Sequence, residues 1–142
     1  MLRRSSPLNL VFVTCFFLFA ICSFADEMLI DKEVTVIRGD FKELHYLIPD
    51  KTVDSEIQGS FTCKGGFADD INFLILTKDQ YVRWYSNYSY KAIVKYEKKT
   101  SEKFQFPVAG GETYYFVFDN FFSTVSNKQV KLQVKLVPTK KE

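Results

Sequence analysis

Along "TVDSEIQGSFTCK" apolar or small residues alternate with polar ones. Val53, Ser55, Ile57, Gly59, Phe61 and Cys63 fall on one side, and Thr52, Asp54, Glu56, Gln58, Ser60, Thr62 and Lys64 on the other. A repeat of two is the signature of a strand with one buried and one wet face. "KQVKLQVKL" repeats it, with Val130, Leu132, Val134 and Leu136 inward and Lys131, Gln133 and Lys135 outward. Further strands are expected at "EVTVIRG", "FKELHYLIP", "DINFLILT", "YKAIVKYE", "KFQFPV" and "TYYFVFD", each bounded by turn residues. That makes about eight short strands, at the spacing of an all-β, antiparallel β-sandwich of jelly-roll type.

Two stretches depart from simple alternation. "YYFVF" (Tyr114–Phe118) is apolar at every position, so it requires cover on both faces, as a central strand or under another segment. Asp119 and Asn120 then end it, because both side chains bond local backbone and favour turns. "TKDQYVRWYSN" (Thr77–Asn87) has no period of two. It reads as a helical turn or an irregular crossover between the two sheets.

The first 25 residues stand apart. Arg3 and Arg4 precede the uncharged apolar run "VFVTCFFLFAICSF", and Ser23 and Ala25 sit three and one positions before Asp26. This is the layout of a cleaved secretory signal peptide. The run is shorter than the roughly 20 residues a membrane span needs. Cys22 is not a lipidation site, because Ile21 stands where that processing needs a small residue. The expected organisation is a signal peptide over 1–25 and one sandwich domain over 26–142. The mature product is then secreted: periplasmic or extracellular in a bacterium, in the secretory lumen or outside the cell in a eukaryote. No transmembrane span is expected after signal cleavage.

Cleavage would remove two of the 19 basic residues and none of the 17 acidic ones, so the mature domain is formally neutral. Basic residues are spread over strand faces, which argues against a nucleic-acid partner. Cys63 would be the sole remaining cysteine, so packing rather than a disulfide must hold the fold, and 17% aromatic residues suit that. The inward parity of Cys63 points to a buried, inert thiol, with pairing between chains as the other reading.

Candidate chemistry is sparse. The single histidine, His45, lies opposite Leu44, Tyr46 and Ile48 and so faces solvent, with no nucleophile motif beside it. One histidine and one cysteine cannot make a usual zinc site. Asp69, Asp70 and Asn72 are oxygen donors that could begin a calcium shell, but two acids and an amide are too few to complete one. They are read as a polar turn capping a hairpin. No cofactor and no enzymatic activity are expected.

What remains is "QYVRWYSNYSY", where Trp84, Tyr85 and Tyr88 offer flat rings with polar tips beside the charged Arg83, a set suited to protein or sugar contact. The competing reading has this segment fold over an end of the sandwich and plug it. "NYS" also makes Asn87 an N-glycosylation acceptor if the host glycosylates secreted proteins.

The tail carries a resemblance. Tyr115, Phe116, Val117, Phe118, Asp119, Asn120, Phe122, Ser123, Ser126, Lys128 and Val130 form an aromatic strand ending in F-D-N, a serine-rich turn and a Lys-led alternating strand. This resembles the C-terminal end of GOLD domains, sandwich modules of vesicle cargo receptors and some lipid-transfer proteins. "GSFTCKGGFADDINFLILTKD" is similar to that family's central hairpin. The resemblance implies a sandwich and a binding role. The disulfide, coiled-coil stalk and membrane helix of the cargo receptors have no counterpart in this sequence, so it does not imply cargo reception. The expectation is therefore a secreted, monomeric, non-enzymatic module that binds a protein or other ligand through loops. The alternatives are a self-assembling structural component, or a carbohydrate-binding domain using residues 80–90.

Overall fold

The computed structural model describes residues 25–139. All but the last residue of the expected signal peptide therefore lies outside the described residues. Eight strands and one helix follow in order: β1 Glu27–Val36, β2 Phe41–Leu47, β3 Ser55–Lys64, β4 Ile71–Thr77, α1 Lys78–Tyr85, β5 Val94–Lys99, β6 Ser101–Pro107, β7 Thr113–Asp119 and β8 Lys128–Pro138. They form two four-stranded antiparallel sheets, ordered β1-β8-β3-β6 and β2-β7-β4-β5. Six of the seven strand-to-strand connections pass from one sheet to the other, and only β4 and β5 are consecutive neighbours. This is the strand order of a jelly roll.

The alternation places the core between the sheets. Ile57, Phe61 and Cys63 of β3 and Val130, Leu132 and Val134 of β8 meet Phe73 and Ile75 of β4 and Phe116 and Phe118 of β7, all buried. Phe73 stacks on Phe118 at 4.9 Å, and Phe61 lies 4.7 Å from Phe73. Each such side chain contributes about 1.5–3 kcal/mol on burial, and Cys63 lies among them as a free thiol. Gly59 completes the face for a steric reason. A Cβ there would come within 2.6 Å of the Gln133 carbonyl oxygen, and the Phe104 ring already occupies the same space.

Three expectations need correction. Val53 is 58% exposed rather than inward, because Thr52 N–H donates to Pro49 O in a turn and pairing starts only at Ser55. Of the two readings of Thr77–Asn87 the helical one holds, as α1, while the crossover one fails because the segment joins two neighbours of one sheet. Likewise β3 and β4 are not a hairpin. They belong to different sheets, and residues 65–70 arch from one to the other.

Strand β7 is central, between β2 and β4, and is covered on both faces as its composition requires. Phe116 and Phe118 point into the sandwich. Val117 and Tyr115 point outward with Leu74 and Leu76 of β4, into a second small core under α1 and residues 90–92.

Candidate binding surfaces

Helix α1 is built as a strap. Thr77 is its N-cap, accepting from Gln80 N–H at 3.4 Å, and Asp79 pairs with Arg83 one turn later at 3.3 Å. Its C-terminus closes with two bonds, Asn87 N–H to Trp84 O at 3.1 Å and Tyr88 N–H to Arg83 O at 2.9 Å. Asn87 adopts φ 59° to do so, the left-handed cap conformation in which asparagine is tolerated. Gln80 Oε1 accepts from Lys91 N–H at 2.6 Å and ties the returning chain to the helix.

The strap divides the aromatic residues of this segment by role. Tyr81 stacks flat on Tyr115, with centroids 4.2 Å apart and planes 8° from parallel, and Trp84 meets Phe41 edge-on at 5.0 Å. These two rings hold the helix to the outer face of the second sheet. Burial raises the Tyr81 phenol pKa, with the nearby Glu43 carboxylate adding to it. Arg83, Tyr85, Asn87 and Tyr88 stand in solvent. Of the four expected contact residues, Trp84 is therefore chiefly structural while Arg83, Tyr85 and Tyr88 are available. The segment covers a sheet face and does not plug an end. Beside Trp84 lies a cleft of about 120 Å³ bordered by Asn72, Tyr90, Lys95, Glu97 and Asp119.

Asp69, Asp70 and Asn72 do not converge on one point. Asp69 Oδ1 accepts from Gly65 N–H at 2.7 Å, Asp70 Oδ1 lies 3.0 Å from Lys128 Nζ, and Asn72 Oδ1 accepts from Lys98 N–H at 2.9 Å. Each donor set is spent on holding an arch or strand end. Among the described residues no group of three or more His, Cys, Asp or Glu side chains could hold a metal ion. His45 is exposed, 3.0 Å from Glu43 Oε2, with its ring over Tyr115 at 5.1 Å. Cys63 is a free, buried thiol, and burial pushes its pKa up to about 11 against a partial opposing effect of Lys128. Such a thiol is a poor nucleophile at neutral pH.

The loops at one end carry further exposed apolar side chains. Ile37 in the β1–β2 turn, Phe67 in the β3–β4 arch, and Phe121 and Val125 in the β7–β8 loop are each at least half exposed, Phe67 completely. These three loops are bolted together. Asn120, fully buried, donates through Nδ2 to Val36 O, Ile37 O and Ser126 O at 3.0–3.4 Å, and Arg38 N–H donates to Asn127 Oδ1 at 2.9 Å. Lys128 Nζ reaches across to Gly65 O at 3.0 Å. Phe41 links the apex to the helix, lying 5.8 Å from Phe121 and 6.0 Å from Tyr85.

Sequence reasoning missed this apex, although apolar residues inside otherwise turn-like stretches, "GGFA" and "NFFSTVSN", are its signal. It also read Asn120 as a local turn former, whereas its side chain bonds the β1–β2 turn, more than 80 positions away in the chain. Among the described residues no helix is long and apolar enough to cross a membrane. No known family model matches this sequence. Comparison with curated proteins likewise finds no match.

Proposed function

We propose that this chain is a secreted, non-enzymatic binding module that engages a protein partner through the loop end of its sandwich. The observation that carries the reading is the apex of Ile37, Phe67, Phe121 and Val125. Four large apolar side chains stand in solvent on loops cross-linked by hydrogen bonds from the buried Asn120, from Arg38 and from Lys128. Exposed apolar clusters on a preorganised frame lose little entropy on binding and mark interaction sites. Tyr85 extends the surface through Phe41, which retains part of the aromatic segment in the site. The signal-peptide layout of residues 1–25 supports export, and the resemblance to GOLD domains supports a binding role by analogy.

A module is favoured over a self-assembling component by the sheet edges. Edge strand β5 carries Lys95, Lys98 and Lys99, edge strand β6 ends at Pro107, and edge strand β1 is bulged between Met28 and Ile30. Charge, proline and bulges are devices that discourage edge-to-edge pairing.

A photoreactive phenylalanine analogue at position 67, with the same group at Val53, exposed in the β2–β3 loop at the opposite end, as control, tests the reading on native secretions of the source cells. The expected result is one discrete crosslinked protein from position 67, lost when Phe121 and Val125 are changed to serine. Equal crosslinking from both positions, or none from position 67, overturns it.

A further inference from the structure

The outer face of the first sheet, opposite to the strap, carries a depression of about 320 Å³. Its border follows from register. Ser60 of β3 stands opposite Lys103 of β6 and Gln133 of β8, and Gln58 stands opposite Gln105 and Lys135. Six polar side chains thus form two ranks of three across adjacent strands, a patch of about 10 Å by 7 Å from strand geometry. Ser60, the shortest, sits at the centre of its rank and leaves the hollow. The rest of the lining is the exposed Met28 side chain of β1 and the sheet at Gly59, Phe104 and Val134, where the last two turn their side chains into the core.

The hydrogen-bonding state of the border selects a ligand class. Gln133 Nε2 donates to Asp31 at 3.3 Å and Gln58 Nε2 donates to Glu56, which orients both amides and leaves their carbonyl oxygens as acceptors. Lys135 Nζ is neutralised by Asp26 at 2.8 Å. Among the described residues, the side chains of Ser60, Lys103 and Gln105 make no hydrogen bond, so their donors and acceptors are open. The exposed Met28 side chain and the side-chain-free backbone of Gly59, ringed by mixed, nearly neutral donors and acceptors, suit a molecule with a C–H face and hydroxyls at its edge. Lys103 alone is too little charge for a polyanion. A purely apolar ligand would strand the amides.

We infer that this face is a saccharide-binding site, taking one or two rings of a neutral oligosaccharide between β8, β3 and β6. The hollow lies at the lower end of the volumes that hold small ligands, so a short segment of a polymer is the fitting ligand. The site is separate from both the apex and the cleft beside Trp84.

The test is titration of the isotope-labelled protein with cellotetraose, chitotetraose and maltotetraose, followed by amide resonances, with an eight-residue Gly-Ser peptide as the other ligand class. At least one saccharide should produce saturable shifts centred on Ser60, Gln105 and Gln133. Gln105→Ala should weaken binding on the order of tenfold, the loss of about one good hydrogen bond. Ser60→Tyr, which fills the hollow from the solvent side, should abolish it, and Trp84→Ala should leave it unchanged. If Ser60→Tyr does not fold, the exposed Gln105→Ala still decides. No shift with any saccharide, shifts centred on Trp84, or shifts with the peptide alone would each overturn the inference.

Discussion

Lys128 Nζ lies 3.0 Å from Asp70 Oδ1, with 4% of the lysine side chain and 18% of the aspartate side chain exposed. The pair joins the start of β8, in one sheet, to the start of β4, in the other. Lys128 also donates to Gly65 O and lies 5.8 Å from the Phe122 ring centre, so its charge is held on three sides. Asp70→Ala should cost about 3 kcal/mol, because it leaves the deeper charge without its counter-ion. Lys128→Met should cost less, since Asp70 retains access to water. Urea unfolding of the two variants gives the order.

Asn120 points its amide nitrogen at three carbonyl oxygens, while its own Oδ1 has no hydrogen-bond partner among the described residues. Asn120→Ala should therefore lower stability by about 2–3 kcal/mol. Asn120→Asp should be worse, since it sets a buried carboxylate against those carbonyls. Equal midpoints for the two variants in chemical denaturation would show that the amide nitrogen is not the bolt.

Asp119 Oδ1 accepts from Phe121 N–H at 2.8 Å. That bond turns the chain out of β7 and sets Phe121 at the apex. Asp119→Ala should cost ~1 kcal/mol, the worth of one exposed bond, whereas Asp119→Asn keeps an acceptor and should be close to neutral. Thermal melting of both separates hydrogen bonding from charge.

Tyr81→Ala removes the flat stack on Tyr115, and Trp84→Ala the edge contact with Phe41. Each should cost about 2 kcal/mol, below the range for fully buried aromatics because both rings are partly exposed. Amide exchange in α1 and residues 90–92 should accelerate well before that of β3, β7 or β8, since the strap stands on its own small core.

The folded chain keeps the Cys63 proton up to about pH 11, whereas the unfolded thiol loses it near 9. The folded state thus binds more protons between these values, and stability falls as pH rises through that window. Tyr81, also raised, acts in the same direction. Melting temperatures from pH 8 to 11 should fall less steeply in Cys63→Ala than in the native chain. The native thiol should also resist maleimide labelling at pH 7.

Much of this architecture was legible in the residues because the relevant rule is local. A period of two assigns a face to each residue from its neighbours alone, so Ile57, Phe61, Cys63, Val130, Leu132 and Val134 lie in the core as their parity requires. The same rule marked β7 as covered on both faces. Applied one step earlier it would have marked Lys128, which shares the parity of Val130 and is the one buried lysine among the described residues. Val53 shows where the rule fails: parity persists into a turn that has no partner strand.

What the sequence by itself determined was the number of strands and the face of most of their residues. The tertiary structure alone decided which strands pair, that α1 straps a sheet face, that Asn120 bolts distant loops, and that Gln58, Gln105 and Gln133 share one patch. Those facts depend on register between residues as far apart as Asp31 and Gln133. Backbone pairing is chemically the same at every register. The choice among registers is made by the packing of the whole core, and no local pattern encodes it.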